Sequence, residues 1–264
     1  MNEKLELRKL LIYAISVYRI PQKIKGMTDK RKRKGIPFFN LIMPVFMALL
    51  LQYESFHTFF SAPESMGRRF GNFIRGRIPK VDAVRDALAL LEADEVGDLL
   101  DSIVEKTYRN AVFRSGTIGG YTAAAVDGVE LFSSTKKSCR KCLTRKNKAG
   151  QTEYFHRSVV CASIGHSPHV VLGQEMLTPR DGGEKDEGEL TGGKRLVRDL
   201  HRKFGHFADV IVADALYLNA PFLNTVLDCH MDAVIRLKDE ERLIYKDAKG
   251  LFEKGEGRKD GFRR

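Results

Sequence analysis

Two short apolar stretches decide the fold of this chain: TAAAVDGVELF at residues 122–132 and DVIVAD at residues 209–214. Both have the length and the β-branched content of buried strands. The first carries Asp127 in its middle, and Asp214 ends the second. Because a buried lone carboxylate is costly unless it is paired or binds a metal, Asp127 is a candidate ligand. Asp214 is the second candidate, since ligands of open α/β sheets gather at the carboxyl ends of strands.

Each aspartate alone has an ordinary structural interpretation. Asp127 could end its strand and cap a turn with Gly128, and Asp214 could cap the helix that follows it. Together they indicate more, because carboxylates on two neighbouring strands would converge and repel each other unless a divalent cation joined them. Oxygen ligands of this kind suit Mg²⁺ or Mn²⁺. On a basic protein the pattern favours metal-assisted phosphodiester chemistry.

The second half of the chain predicts further strands and helices around these two. Strands are predicted at residues 154–163, 169–177 and 232–237, and helices at residues 189–204 and 220–229. This order predicts an α/β protein with a mixed sheet flanked by helices. The remaining residues, 238–264, are basic and rich in glycine, and their weak pattern predicts no further element.

The first part of the chain shows helical periodicity instead. The pattern predicts one helix over Leu7–Tyr18 and a longer one over Phe38–Phe60, bent at Pro44. The most apolar segment, residues 36–51, is 16 residues long and includes Asn40. A membrane span needs about 20 apolar residues, so we expect a buried core helix and no membrane partner.

A glycine cluster at residues 116–120 separates two predicted domains. Residues 1–115 form an all-helical, basic N-terminal region that is a candidate DNA-binding domain. Residues 116–264 form the α/β domain that carries both aspartates. No secretory signal begins the chain, and its four cysteines are compatible with a reduced, cytoplasmic setting.

The charge balance indicates a polyanionic partner. Lys and Arg number 45 against 34 Asp and Glu, which gives a net charge of +11 for 264 residues. Eleven of the basic residues lie in residues 1–40 and eight in residues 131–160, and either patch could neutralise phosphates. A solvated face is the ordinary alternative for each patch. Two patches around an acidic strand motif favour double-stranded DNA, with these candidate binding residues: Lys136, Lys137, Arg140, Lys141, Arg145, Lys146 and Lys148.

Three segments carry a resemblance to a known family: AVDGVELFSS, CRKCLTRK followed by YFHRSVV, and VIVADALYLNAPFLNTVLDCHMDAVIRLKD. They resemble the DDE domain of bacterial insertion-sequence transposases over about residues 115–245. The resemblance implies a ribonuclease H-like fold, with Asp127 and Asp214 as the first two catalytic aspartates and as ligands of divalent metal. It also implies DNA cleavage followed by strand transfer at the ends of an insertion element, by a protein that usually works as a homodimer.

One departure from the family concerns its third carboxylate, a glutamate on a later helix. The chain stops at Arg264, and none of Glu240, Glu241, Glu253 and Glu256 lies in a predicted helix at the right place. We therefore expect a C-terminally truncated transposase with impaired strand transfer. A metal-dependent nuclease that cuts without joining, and a catalytically dead DNA-binding remnant, are the alternatives.

Two further motifs are weaker. Cys139 and Cys142 have the spacing of a zinc site, and His156 and Cys161 follow, but a structural site needs four converging ligands and a second well-spaced pair is missing. We therefore do not expect zinc there, and a reduced loop is the simpler interpretation. The stretch GELTGGK at residues 188–194 nearly matches a phosphate-binding loop but lacks its final Ser or Thr, so we expect no nucleotide cofactor.

Glu187 and Glu189 lie where the predicted 189–204 helix begins. Acidic residues at that position favour the helix dipole, so simple capping is the first interpretation. The alternative is a role in support of the two aspartates.

Overall fold

The computed structural model of the chain describes residues 9, 12–13, 15–60, 79–165, 169–179, 186–238 and 240–254. The chain divides into two compact units, Met1–Lys106 and Thr107–Arg264. The first contains helices and the second contains the sheet.

All the regular elements described in the first unit are helices, as the periodicity predicts. Its helices are α1 (Ile20–Gly26), α2 (Phe38–Leu50), α3 (Phe56–Phe60), α4 (Val81–Leu88) and α5, which begins in this unit (Ala93–Arg109). Leu41 and Met43 of α2 are fully buried in one cluster with Val84 and Ala87 of α4. The prediction of a buried core helix is confirmed, and in the described ranges no helix is long and apolar enough to cross a membrane.

The prediction of one bent helix over Phe38–Phe60 is wrong. Pro44 lies inside α2, and the helix ends at Leu50 because Gln52 adopts a left-handed backbone with φ of 55°. The Tyr53 N–H then donates to the Ala48 carbonyl at 3.0 Å. Of the predicted helix over Leu7–Tyr18, residues 9, 12–13 and 15–18 are described and are helical, and the others lie outside the described residues.

The second unit contains a six-stranded mixed sheet. Its strands are β1 (Ala123–Ser134), β2 (Leu143–Lys146), β3 (Thr152–Ile164), β4 (Val171–Met176), β5 (Val210–Ala213) and β6 (Asp232–Ile235). The order is β2-β3-β1-β5-β6, and β4 also pairs with β3. Strands β1, β5 and β6 are parallel, while β3 runs antiparallel to β1, β2 and β4.

Helices precede and follow the parallel strands β5 and β6. They are α6 (Glu189–Phe204), α7 (Ala220–Asp228) and α8 (Leu243–Lys254), with 3₁₀ helices at Val112–Gly116 and Ala215–Tyr217. The predicted α/β class, a mixed sheet flanked by helices after a helical N-terminal region, is confirmed.

Two elements depart from the sequence prediction. Strand β2 lies where a loop is expected, since its sequence LTRK is short and half charged and only Leu143 is buried. Helix α8 lies in the tail for which no element is predicted, and it contains Glu253 in its last turn, 3.8 Å from Lys249. Its apolar residues Leu243 and Leu251 are exposed, so no buried face marks this helix in the sequence pattern.

Helix α6 packs closely on the sheet because it carries two glycines on its buried face. A Cβ added at Gly192 would lie 2.4 Å from the Leu177 side chain, and one at Gly193 would lie 2.9 Å from the Tyr217 ring. These glycines belong to the stretch that resembles a phosphate-binding loop. In the structure this stretch is helical from Glu189 onward, and its glycines serve close packing.

Asp209 joins the start of β5 to the start of β1. Its carboxylate accepts hydrogen bonds from the Thr122 N–H at 2.6 Å, the Thr122 hydroxyl at 2.7 Å and His206 Nε2 at 2.8 Å. The bonds from His206 and Thr122 hold the pKa of Asp209 at about 2, below the usual 3.8. This residue therefore fixes the position of β5, and with it Asp214, relative to β1.

We predict that Asp209→Asn lowers the free energy of unfolding by about 1 kcal/mol at pH 5, a modest loss because the side chain is 35% exposed. Since the folded-state pKa is depressed, this advantage of the wild type is complete above pH 3.8 and disappears as the pH falls toward 2. Denaturant unfolding between pH 5 and pH 2 measures the difference, with Asp232→Asn as the control. A difference between wild type and Asp209→Asn that is independent of pH would contradict the assignment.

Candidate active site

The two predicted aspartates lie at the carboxyl ends of neighbouring parallel strands. Val126 of β1 pairs with Ala213 of β5, and Asp127 and Asp214 are the next residues along each strand. The condition set by the sequence, that the two strands be neighbours, is therefore met. It is this pairing that brings the two carboxylates to one edge of the sheet.

Asp127 differs from the prediction in one respect, because it is exposed and not buried. Strand β1 pairs with β5 only over Ala123–Val126, so the residues beyond Val126 leave the core. One carboxylate oxygen, Oδ1, accepts the N–H of Gly128 at 2.8 Å. The cost of burying a charge is therefore no evidence that Asp127 binds a metal, and its role as a ligand is inferred from its neighbours.

Asp214 is also exposed, and it caps the 3₁₀ helix that follows β5. Its Oδ1 accepts the N–H of Leu216 at 2.9 Å. The capping role that the sequence left open is thus present. It engages one of two carboxylate oxygens, so capping and metal binding are compatible.

Glu189 brings a third carboxylate to the same edge. It is the first residue of α6, and its side chain is only 13% exposed. The carboxyl group lies directly over Gly128, where an added Cβ would approach its Cδ to 2.3 Å. Arg157 of β3 donates to Glu189 Oε1 from Nη1 at 2.6 Å. The Glu189 carboxylate is therefore held over Gly128, the residue after Asp127, by a positive charge and by the absence of a side chain at residue 128.

Tyr217 lies close enough to all three carboxylates for their charges to affect its pKa. Its side chain is buried, and its hydroxyl has no hydrogen-bond partner among the described residues. Burial raises the pKa of Tyr217, and the negative charges of Glu189, Asp127 and Asp214 raise it further. The buried Tyr217 side chain therefore forms the core side of the site, and its hydroxyl is a polar atom without a partner among the described residues.

The donor set is compatible with a hard divalent cation. Three carboxylates supply the oxygen ligands that Mg²⁺ and Mn²⁺ prefer, and the unpartnered Tyr217 hydroxyl is a further polar atom at the site. The carboxylates are not gathered tightly. In the described part of the chain, one group of three ligand side chains has donor atoms within 4.8 Å of one another, and it consists of Cys139, Cys142 and His156.

Sequence reasoning missed two members of the site, Arg157 and Tyr217. Arg157 could have been noticed in the sequence as the charged residue that begins the mostly apolar stretch RSVVCASI. Its Nε is buried without a partner among the described residues, and its Nη2 lies 3.4 Å from Glu130. Tyr217 has no comparable signal, because an aromatic residue near a helix start is usually a core residue.

The candidate DNA-binding cations lie on one hairpin, residues 136–148, which we call the basic hairpin. Six of the seven are exposed: Lys136, Lys137, Arg140, Lys141, Lys146 and Lys148. Arg145 is different, because it donates to Glu130 at 2.6 Å and to Glu153 at 2.7 Å. These two carboxylates raise the pKa of the Arg145 guanidinium and occupy it, so it stabilises the hairpin instead of extending toward solvent.

No protein-family model matches the chain, and no curated protein matches it. Among solved structures, the chain is similar to piggyBac transposase, which was determined as a synaptic complex with hairpin DNA. The identity is 17% and the TM-score is 0.39, and the match covers 88% of this chain and 51% of that one. This chain thus spans about half the length of that transposase. The functional assignment accordingly depends on this chain's own residues.

The Arg157–Glu189 ion pair yields a test of the site's architecture. We predict that Arg157→Met lowers the free energy of unfolding by about 1–3 kcal/mol, because it leaves the mostly buried Glu189 carboxylate without its partner. Adding Glu189→Met should restore part of the loss, as measured by urea denaturation. Arg202→Met, which breaks an exposed pair with Asp199, is the control and should cost less than about 1 kcal/mol. Fully additive losses in the double variant would show that the pair is not coupled.

Proposed function

We propose that this chain is a DNA transposase of the DDE type, which cleaves phosphodiester bonds and transfers strands at the ends of a mobile DNA element. One observation carries the proposal: Asp127 and Asp214 follow paired residues of adjacent parallel strands, and the Glu189 carboxyl group lies over Gly128, the residue after Asp127. The resemblance of both aspartate-bearing segments to insertion-sequence transposases supports it. The homodimer that the resemblance implies stays a prediction.

Asp127 and Asp214 are the residues that would hold Mg²⁺ or Mn²⁺, with Glu189 as the third carboxylate. A divalent cation, when bound, supplies Lewis-acid activation of a phosphoryl oxygen and neutralises developing negative charge. The family's third glutamate is expected on a later helix, and in this proposal Glu189 of α6 takes that role. This assignment removes the main reason to expect impaired strand transfer.

The chain's own residues prepare the site in three ways. Gly128 leaves the space that the Glu189 carboxylate occupies over β1, at the residue after Asp127. Arg157 holds that carboxylate in place and offsets its charge. Tyr217 closes the inner side of the site with a ring packed against Phe222 at 4.8 Å between centroids, which keeps water out of the core below the carboxylates.

The basic hairpin would bind the DNA backbone. Its exposed cations contact phosphates without reading sequence, so they position the duplex instead of selecting it. Hairpin and carboxylates are connected by one continuous pair of strands, β1 and β3, over which Asp127 pairs with Val160 and Ser134 pairs with Tyr154. A duplex held on the hairpin would therefore keep a fixed geometry relative to the carboxylates.

We predict that Asp127→Asn and Asp214→Asn each lower metal-dependent DNA cleavage at least about 100-fold while leaving DNA affinity equal or higher. Removing a carboxylate removes a metal ligand, and it also removes a negative charge near the bound phosphate. Supercoiled plasmid nicking in Mn²⁺ measures cleavage, and joining of a 3′-hydroxyl oligonucleotide to plasmid measures strand transfer.

Asp232→Asn is the matched control for this experiment, since Asp232 is also exposed and lies at the amino end of β6, the opposite edge of the sheet. It should retain wild-type activity. Unchanged cleavage in both aspartate variants would refute the catalytic assignment. Cleavage without joining would favour the nuclease alternative, and DNA binding without any cleavage in the wild type would favour the inactive remnant.

The basic hairpin predicts a specific salt dependence. Lys136→Gln/Lys137→Gln should reduce the slope of log affinity against log salt by about 2, since each phosphate contact contributes about 0.9 for duplex DNA. Arg202→Gln/Lys203→Gln on α6 removes the same charge elsewhere and should leave the slope unchanged. Fluorescence anisotropy with a labelled duplex at several salt concentrations measures both. Equal slopes for the two variants would show that Lys136 and Lys137 of the hairpin do not contact DNA phosphates.

A further inference from the structure

We infer, in place of the reduced loop that the sequence favours, that Cys139, Cys142 and His156 form a zinc site that fastens the basic hairpin to β3. The Cys139 sulfur lies 3.3 Å from His156 Nε2, the Cys142 sulfur lies 3.4 Å from the same nitrogen, and the two sulfurs lie 3.7 Å apart. Three soft ligand atoms from two separate segments of chain thus surround one point. This inference is independent of the carboxylate site and of the proposed function.

The spacing of these atoms is that of ligands on a tetrahedral zinc ion. With Zn–S bonds of about 2.3 Å and Zn–N bonds of about 2.0–2.1 Å, the edges of the tetrahedron are about 3.8 Å between sulfurs and about 3.6 Å between sulfur and nitrogen. The three observed separations agree with these edges to within a few tenths of an ångström. Thiolate and imidazole are also the donor types that select zinc over Mg²⁺.

The backbone of the hairpin is arranged to support thiolates. The Cys142 N–H donates to the Cys139 carbonyl at 3.1 Å, which closes the turn between the two cysteines. The Cys139 N–H then donates to the Cys142 sulfur at 3.2 Å, and the Lys141 N–H donates to the Cys139 sulfur at 3.4 Å. Hydrogen bonds from backbone amides orient metal ligands and stabilise their negative charge.

The ligand set joins two segments that are separate along the chain. Cys139 and Cys142 lie in the loop before β2, whereas His156 lies on β3 opposite Phe132 of β1. A bound ion would tie this loop to the sheet. Two thiolates would also neutralise the ion, so that the site adds no net charge among Arg140 and Lys141.

The fourth ligand position faces solvent. Cys139 is exposed, and no fourth His, Cys, Asp or Glu joins the group within the described ranges. Cys161 follows His156 on the same strand, but it is fully buried and pairs with Val126 in the core, so it is not a ligand. We therefore assign three protein ligands and one water molecule, which is one protein ligand fewer than in a closed structural site.

The experiment is metal analysis of the full chain purified under reducing conditions without chelator. We expect about one zinc per chain by elemental analysis. Titration of the metal-free protein with Co²⁺ should give the intense visible bands of a tetrahedral site together with sulfur-to-cobalt charge transfer. Cys139→Ala and His156→Gln should abolish both signals, and circular dichroism shows whether the variants are folded.

Cys161→Ala and Cys229→Ala are the matched controls, because both remove buried thiols outside the group. They should keep one zinc and the same cobalt spectrum. The inference is overturned if the wild type binds no zinc in excess zinc after reduction, or if Cys139→Ala retains as much metal as Cys161→Ala. Isolation of a Cys139–Cys142 disulfide from reduced protein would overturn it as well.

Discussion

The parallel pairing of β1 with β5, over only four residue pairs, is the constraint on which the rest of the site depends. A shift of one residue in a strand register turns every side chain to the other face. The register that places Val126 opposite Ala213 therefore decides whether Asp127 and Asp214 share an edge. Parallel strands also require a long crossover connection, and here that connection contains α6. Its first residue, Glu189, is brought to the same edge as a consequence.

The two proposed metal sites lie at opposite ends of the Asp127–Phe132 segment of β1. Asp127, the carboxylate on this strand, is where β1 leaves the core, and the Cys and His group lies near Phe132, which pairs with His156. Phe132 follows Asp127 by five positions, or about 17 Å at 3.3–3.4 Å per residue. Oxygen ligands at one end and sulfur and nitrogen ligands at the other would keep Mg²⁺ and Zn²⁺ in separate sites.

A network of ion pairs occupies the surface between these two ends. Arg145 is shared by Glu130 and Glu153, and Arg157 is shared by Glu130 and Glu189. The Arg145 hydrogen bonds lower the pKa of Glu130 despite its partial desolvation. Phe155 lies between the two arginines, with its ring centroid 4.6 Å from the Arg145 guanidinium carbon. The network fixes the base of the hairpin, whereas the exposed lysines at its tip stay available to phosphates.

The sequence predicts the parts of this molecule that have strong local signals. The apolar runs that contain Asp127 and end at Asp214 predict two strands of one α/β sheet, but that they are neighbours is seen only in the structure. The exposure of Asp127 could not be predicted, because it depends on where β5 stops pairing. The sequence shows Cys139, Cys142 and His156 as possible ligands but not that they converge, because the register of β3 decides whether His156 faces the loop. Arg145 has the same charge as its neighbours, and only its glutamate partners distinguish it.

Paramagnetic broadening by Mn²⁺ in amide NMR spectra tests whether a divalent cation binds between Asp127 and Asp214, as we propose. We expect the amide signals of Gly128 and Leu216 to broaden first at substoichiometric Mn²⁺, while that of Asp232 is unaffected. The Asp127→Asn variant should lose this selective broadening. Uniform broadening, or broadening that begins at other acidic residues and persists in the variant, would show that no cation is held between these two aspartates.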